Sequence, residues 1–279
     1  MKKSRNYKIY NNGEDFLLDN EKLIHQNKMT KIETAFFDLN AKRFFSFDKE
    51  NYAFSFTSQD KKLLILKCAP YNALIYGDID LAAEAARILA EQNVEVDNIL
   101  GKNKLVESFL KSYQKIKSGT IKLIHSMSIM VLDVYKSSDT SDVFVCSSDD
   151  LEDLAECYKA FEMECFQKEK SLEEMKEMLR GREQNFYAYK IDGKIVSMAS
   201  KNREVEDICA ISHVYTTPCH RGNGYSKKVV SKVVEDLIEN NKTPYLYVDN
   251  ENPISNHLYL KIGFQYFINQ SQYQFKMKE

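Results

Sequence analysis

Apolar positions along this chain follow two periods, and the switches between them mark out its elements. The runs LLILKCA (63–69) and ALIYG (73–77) are short and continuous, which predicts strands. From Leu81, the residues Ala85, Ile88 and Leu89 share one helical face, behind Asp80 as a candidate cap. A short strand near 94–100 precedes a second helix opened by Asn103, with Leu105, Val106, Phe109, Leu110 and Tyr113 along one side. Helical material is also expected around 20–45, and IKLIHSMSIMVLDVY (121–135) reads as a long strand.

The polar segment KSSDTSD (136–142) breaks the pattern and places a domain boundary near residue 136, giving domains 1–136 and 137–279. The second part opens with the short strand DVFVC, and CSSDD reads as a strand end leading into a helix cap. Helices over about 149–166 and 171–180 follow. Two strands then flank the turn Asp192-Gly193, and a further strand runs from Ile208 to Thr216. After a glycine turn, Val229, Val230, Val233, Val234, Leu237 and Ile238 recur as the apolar face of a helix. The chain closes with the strand PYLYVD, a short helix and two strands ending in QYQFKM. No internal repeat shows in the residues.

Composition narrows the field. Hydrophobic residues make up 43% and charged residues 29%, which suits a globular protein with a buried core. A net charge of −2 argues against a large nucleic-acid-binding face. The six cysteines have no metal-ligand spacing and read as free thiols of a reducing cytoplasm. No signal peptide or membrane span is expected, and no metal.

The chemistry gathers at HVYTTPCHRGNGYSKKVV (213–230). Thr217-Pro218 stops the strand, because proline removes a ladder donor. Gly222 and Gly224 permit positive φ and leave no β-carbon in the way of a ligand. The helix that follows presents unpaired N–H groups at its start, and Arg221 adds a fixed positive charge. That combination suits an anion. A Walker loop would need GK[ST], and a dinucleotide fingerprint a third glycine at 227, where lysine stands; both fail.

VYTTPCHRGNGYS resembles the acyl-CoA-binding signature of the GNAT superfamily of N-acetyltransferases, through Arg221, Gly224 and Ser226. Ser226 stands where the family usually has Gly or Ala, and is small enough for close approach. The downstream stretch YLYVDNENPISNHLYLKIGF again looks like GNAT. In it Asn252 caps a helix that starts with Pro253 and ends before Gly263, with Ser255 and Tyr259 on one face and Ile254, Leu258 and Ile262 toward the core. The whole chain is similar to predicted bacterial acetyltransferases with an additional N-terminal domain. The resemblance implies a mixed α/β sheet: a C-terminal acyl-CoA-binding fold preceded by an N-terminal α/β domain, for which a degenerate GNAT-like half is one reading. That domain has no R-x-x-G-x-G of its own, so no second cofactor is expected there.

By that resemblance Arg221, Gly222, Asn223, Gly224, Tyr225 and Ser226 hold the pyrophosphate of acetyl-CoA. Val214, Tyr215 and Thr216 offer backbone to the acetyl and pantetheine groups, Asn252 adds a contact, and Tyr259 protonates the departing thiolate. The expected function is acetyl transfer to the amine of a small molecule or peptide, directly, in a ternary complex. The base stays open among Glu162, Glu164, Glu204, Glu206, Asp207 and His213, and Cys219 is given no nucleophilic role. Two alternatives are an acyl-CoA-binding or regulatory protein without chemistry, and a protein whose N-terminal domain docks a macromolecular partner.

Overall fold

The computed structural model describes residues 6–48 and 50–278. The elements run β1 (Tyr7–Tyr10), α1 (Gly13–Ile24), α2 (Lys28–Ala41), β2 (Tyr52–Ser58), β3 (Lys61–Lys67), β4 (Ala73–Gly77), α3 (Ala82–Glu91), β5 (Asn98–Lys102), α4 (Asn103–Gln114) and β6 (Gly119–Leu132). There follow β7 (Phe144–Val145), α5 (Leu151–Phe166), α6 (Leu172–Leu179), β8 (Phe186–Ile191), β9 (Lys194–Val205), β10 (Ile208–Thr216), α7 (Tyr225–Glu239), β11 (Thr243–Asp249), α8 (Pro253–Ile262) and β12 (Phe264–Met277). The second succession repeats the first: strand, two helices, three strands, helix, strand, helix, strand. The repeat lies in topology and is invisible in the residues.

Two compact units result. One takes the chain up to Ile129 with Asp249–Glu251 and the stretch from Phe267; the other takes Met130–Val248 and Asn252–Tyr266. This cut differs from a single boundary at residue 136, because most of β12 packs with the first unit, where Gln270–Gln274 pair antiparallel with β5.

In the first unit β1 to β4 form an antiparallel run and β4 pairs parallel with β5. Strand β2 is buried on both faces, so alternate residues enter opposite cores. Tyr52, Phe54 and Phe56 join α3 and α4, while Ala53 joins the core that holds Phe16, Ile24 and Phe37. The cap of the helical stretch after β4 is Asp78, whose side chain accepts from the Asp80 N–H, and not Asp80 itself.

In the second unit β7, β8, β9 and β10 pair antiparallel in turn, and β10 runs parallel to β11. Tyr187, Ala199, Ile211 and Leu246 pack under α7 and α8, and Phe186, Ala188 and Met198 under α5 and α6. Where the serine-aspartate run predicts a helix cap, Ser147 and Asp150 form a capping box before α5. Three sequence expectations are corrected. The end of the chain is one strand, β12, rather than two. Ile238 is exposed on the rim of α7, and Ile254 is 82% exposed instead of facing the core. The buried stripe of α8 is Asn256, Tyr259 and Ile262, set by the seating of the tyrosine ring. Among the described residues no helix is long and apolar enough to cross a membrane, and no cluster of His, Cys, Asp and Glu suits a metal ion.

Candidate functional site

The site is built where β10 stops keeping step with its neighbours. Its parallel pairing with β11 runs from Ile208↔Thr243 to Ile211↔Leu246, although both strands continue beyond. On the other side, pairing with β9 passes from Ser212↔Ser200 to Tyr215↔Met198, so β10 carries one extra residue: a β-bulge. His213 sits in that bulge at φ +51°, in the left-handed region. Bulge and lost pairing leave Val214, Tyr215 and Thr216 free of a β11 partner at the mouth of a gap.

The turn follows at once. Pro218–His220 form a short 3-10 segment, and then Gly222 and Gly224 take φ of +82° and +79°. A β-carbon added at either would meet nothing within 4 Å, so their open sides face free space. Gly224 caps α7 without any side-chain hydrogen bond, and the Lys228 N–H to Gly224 carbonyl bond (3.2 Å) begins the helix ladder. The N–H groups before Lys228 therefore have no partner in that ladder, and the helix dipole adds to their pull on an anion. Asn223 folds its amide back onto the His220 and Arg221 carbonyls (3.0 and 3.3 Å), which stiffens the turn. Tyr225 stacks on Tyr189 at 4.5 Å, and Ser226 is half-buried beside it.

Arg221 is held from three sides. Its Nε donates to the Thr216 carbonyl at 2.9 Å, and its guanidinium lies 5.6 Å from the Tyr215 ring centre. One terminal nitrogen donates to both Glu164 carboxylate oxygens, at 2.8 and 2.6 Å. The glutamate stands 57 positions away in sequence. It sits near the end of α5, and the next residue, Cys165, acts electrostatically on Tyr259 of α8. Burial, with a smaller contribution from Cys165, pushes the Tyr259 phenol far above its ordinary range. Asn252 is the cap of α8, accepting from the Ser255 N–H at 3.1 Å.

Of the candidate bases, Glu204, Glu206 and Asp207 lie at the opposite end of β10, about 25 Å of strand from the turn. Glu204 pairs there with Lys242 at 2.6 Å. Glu164 is engaged by Arg221, and Glu162 is buried on α5. His213 lies among Tyr158, Phe161 and Phe186, with Nδ1 2.7 Å from the Ser200 hydroxyl. It lines a cavity of about 100 Å³ together with Tyr158, Arg182, Asn185, Phe186 and Ser200. Sequence reasoning missed this cavity, because its walls come from five separate elements, α5, α6, β8, β9 and β10.

Residues 151–264 match the family model of the acetyltransferase (GNAT) family. No curated protein sequence matches the chain. Among solved structures, a GCN5-related N-acetyltransferase from Sphaerobacter thermophilus is similar at a TM-score of 0.62 and 11% identity, covering 99% of this chain and 97% of that one. An acetyltransferase of the GNAT family from Colwellia psychrerythraea gives 0.58 at 12%, covering 98% and 99%. A tandem GNAT protein from the clavulanic acid biosynthesis pathway gives 0.58 at 9%, covering 97% and 98%. At such identities the likeness concerns the fold, and it extends over both units. Residues 151–264 form an acyltransferase domain of the GNAT family, set in a chain with the two-part fold of a tandem GNAT protein.

Proposed function

We propose that the protein moves the acetyl group of acetyl-CoA directly to the amine of a small molecule or peptide, within a ternary complex. The observation that carries this reading is the uncapped, glycine-lined start of α7 at the gap where β10 and β11 part. The first N–H groups of α7, with Arg221, suit a pyrophosphate: the donors lack ladder partners and the charge is permanent. Gly222, Asn223, Gly224, Tyr225 and Ser226 border that place. Val214, Tyr215 and Thr216 supply backbone groups for the pantetheine arm and the thioester carbonyl. Asn252 spends its side-chain oxygen on capping α8 and keeps its amide donor for a contact with the nucleotide end. Tyr259 serves as the acid: burial keeps its proton in place at neutral pH, and the departing CoA thiolate takes that proton as the C–S bond breaks. Holding both reactants in one site supplies much of the rate. We assign this chemistry to residues 137–279, and no metal enters it. A reducing cytoplasm suits the free cysteines.

Calorimetric titration with acetyl-CoA tests the reading. Micromolar binding, about −8 kcal/mol, is expected in the wild type and is weakened in Arg221→Ala. Absence of saturable binding in the wild type sinks it. The deep burial of Tyr259 favours a second reading, an acyl-CoA-binding protein without chemistry. Turnover of any amine, slowed by about 10²-fold or more in Tyr259→Phe, would exclude that reading.

A further inference from the structure

The acetyl transfer proposed above leaves the amine, and the protons it must shed, without a place. We infer that the cavity walled by α5, α6 and β8–β10 is the acceptor site, and that its substrate is a small primary amine carrying a carboxylate, of the α-amino acid type. In it Arg182 holds the carboxylate and His213 Nε2 receives the ammonium proton. The inference rests on the acyl-transfer reading.

Position comes first. His213 lies on β10 immediately before Val214–Thr216, the stretch that meets the thioester in that reading, and the bulge turns it out of register with β9. Tyr158 and Phe161 on α5 and Phe186 on β8 form an aromatic box around the ring, with centroids 5.1, 5.6 and 5.7 Å away. Rings packed this way fix the imidazole.

The tautomer follows from Ser200. A hydroxyl has one proton, and Ser200 has two acceptors in reach, His213 Nδ1 at 2.7 Å and the Ser212 carbonyl at 3.4 Å; the inferred reaction takes the arrangement in which the proton goes to the carbonyl. Its oxygen then accepts from His213 Nδ1–H, leaving the lone pair on Nε2. Burial, assisted by the positive charge of Arg203, lowers the ring to about 4, so it is neutral at neutral pH and holds a proton only when a bound carboxylate offsets these effects.

Charge selects the substrate. The titratable and charged groups near the ring are Tyr158 on α5, Arg182 ahead of β8, and Lys201 and Arg203 on β9; the cavity lining itself has no carboxylate, and the buried Glu162 of α5 acts on Tyr158 without lining the cavity. Lys201 already faces Asp236 at 3.3 Å, and Arg203 donates to the Ser212 hydroxyl at 3.1 Å. Arg182 has an exposed side chain and no ion pair among the described residues. Such a lining repels a polyamine and attracts an anionic group, with Asn185 and Asn202 as neutral donors beside it. A bound carboxylate also supplies the negative charge that favours the imidazolium. The ammonium, desolvated by the same rings, gives up its proton more readily.

Two protons leave the ammonium. His213 Nε2 takes the first and releases it to solvent through the cavity mouth. The second leaves as the N–C bond forms and replaces the one that Tyr259 gives to the sulfur, so the products are the N-acetyl amine, CoA thiol and one solvent proton.

The test uses the full-length protein, with titration of acetyl-CoA run beside an acceptor panel of α-amino acids, their methyl esters and decarboxylated counterparts. Free amino acids should exceed their esters by roughly tenfold or more in kcat/KM, as expected for losing a charged hydrogen bond. Arg182→Met should remove that preference chiefly through KM, and Arg182→Lys should restore part of it. His213→Asn, which tolerates the left-handed backbone, should lower kcat and change its pH profile while acetyl-CoA still binds. Acetyl-CoA binding with no preference for carboxylates, or with no acceptor turned over, overturns the inference and leaves the reading of the turn standing. Failure to bind acetyl-CoA overturns both.

Discussion

Glu164 occupies the guanidinium that the proposed donor needs, so cofactor binding must displace it. The carboxylate takes two contacts from Arg221, at 2.8 and 2.6 Å, yet both side chains are 47% exposed. An exposed pair of this kind is worth about 0.2–1 kcal/mol. Glu164→Gln removes the competing charge while Thr216 and Tyr215 still hold the arginine in place. Acetyl-CoA should therefore bind ~1.4- to ~5-fold more tightly to the variant. Calorimetric titration at low and high salt reads this directly, and the advantage should shrink as salt screens the pair in the wild type. In the Arg221→Ala background the same substitution should have no effect, because nothing remains to be released. Equal or weaker binding by Glu164→Gln, or a gain that survives Arg221→Ala, would refute the competition.

Gly224→Ala forces a β-carbon residue to φ +79° and should lose about 1 kcal/mol of stability, with a further loss of acetyl-CoA affinity because the methyl enters the open side of the turn. Gly193→Ala, at the same φ and with equal space in the β8–β9 hairpin, should lose stability without weakening binding; denaturant melts and titrations separate the two effects. His213 titrates near 4 in the fold against 6.5 ordinarily, so the unfolded chain binds more protons between those values. Its contribution is then fully present above about pH 6.5 and falls away as pH drops toward 4, by at most about 3 kcal/mol. His213→Asn should flatten that part of a stability-versus-pH curve, and an unchanged slope would contradict the burial argument.

The turn was legible because each of its residues has a local reason to be there. Proline ends the strand, two glycines take positive φ, and the valines of α7 repeat at helical spacing. Non-local features were not legible. The Arg221–Glu164 pair joins residues far apart in sequence, and the bulge at His213 exists only relative to β9. Strand β2, YAFSFTS, was missed because burial on both faces erases the alternation that betrays a strand. Ile254 was placed in the core by its spacing from Ile262, but it stands at the first turn of α8, and the seating of Tyr259 sets the buried face one step round the helix. The tandem order of elements left no trace in the residues, since each strand and helix tolerates many apolar sequences.

That order also puts a turn in the first unit at the place equivalent to the glycine turn, between β4 and α3, and its chemistry is reversed. Gly77 has φ +123°, but a β-carbon there would lie 2.2 Å from the Lys62 carbonyl oxygen, so the backbone itself fills the side left open at Gly222 and Gly224. Asp78 caps the Asp80 N–H at 2.9 Å, and Asp80 pairs with Lys61. One helix start thus has its donor answered by a carboxylate and two acids in front of it, whereas the other has unanswered donors and an arginine. A pyrophosphate approaching the first would meet like charge and a closed surface; approaching the second, it would have a single glutamate to displace. The two units share a path of the backbone, and the capacity to hold an anion is decided by the few residues between a strand and the helix after it.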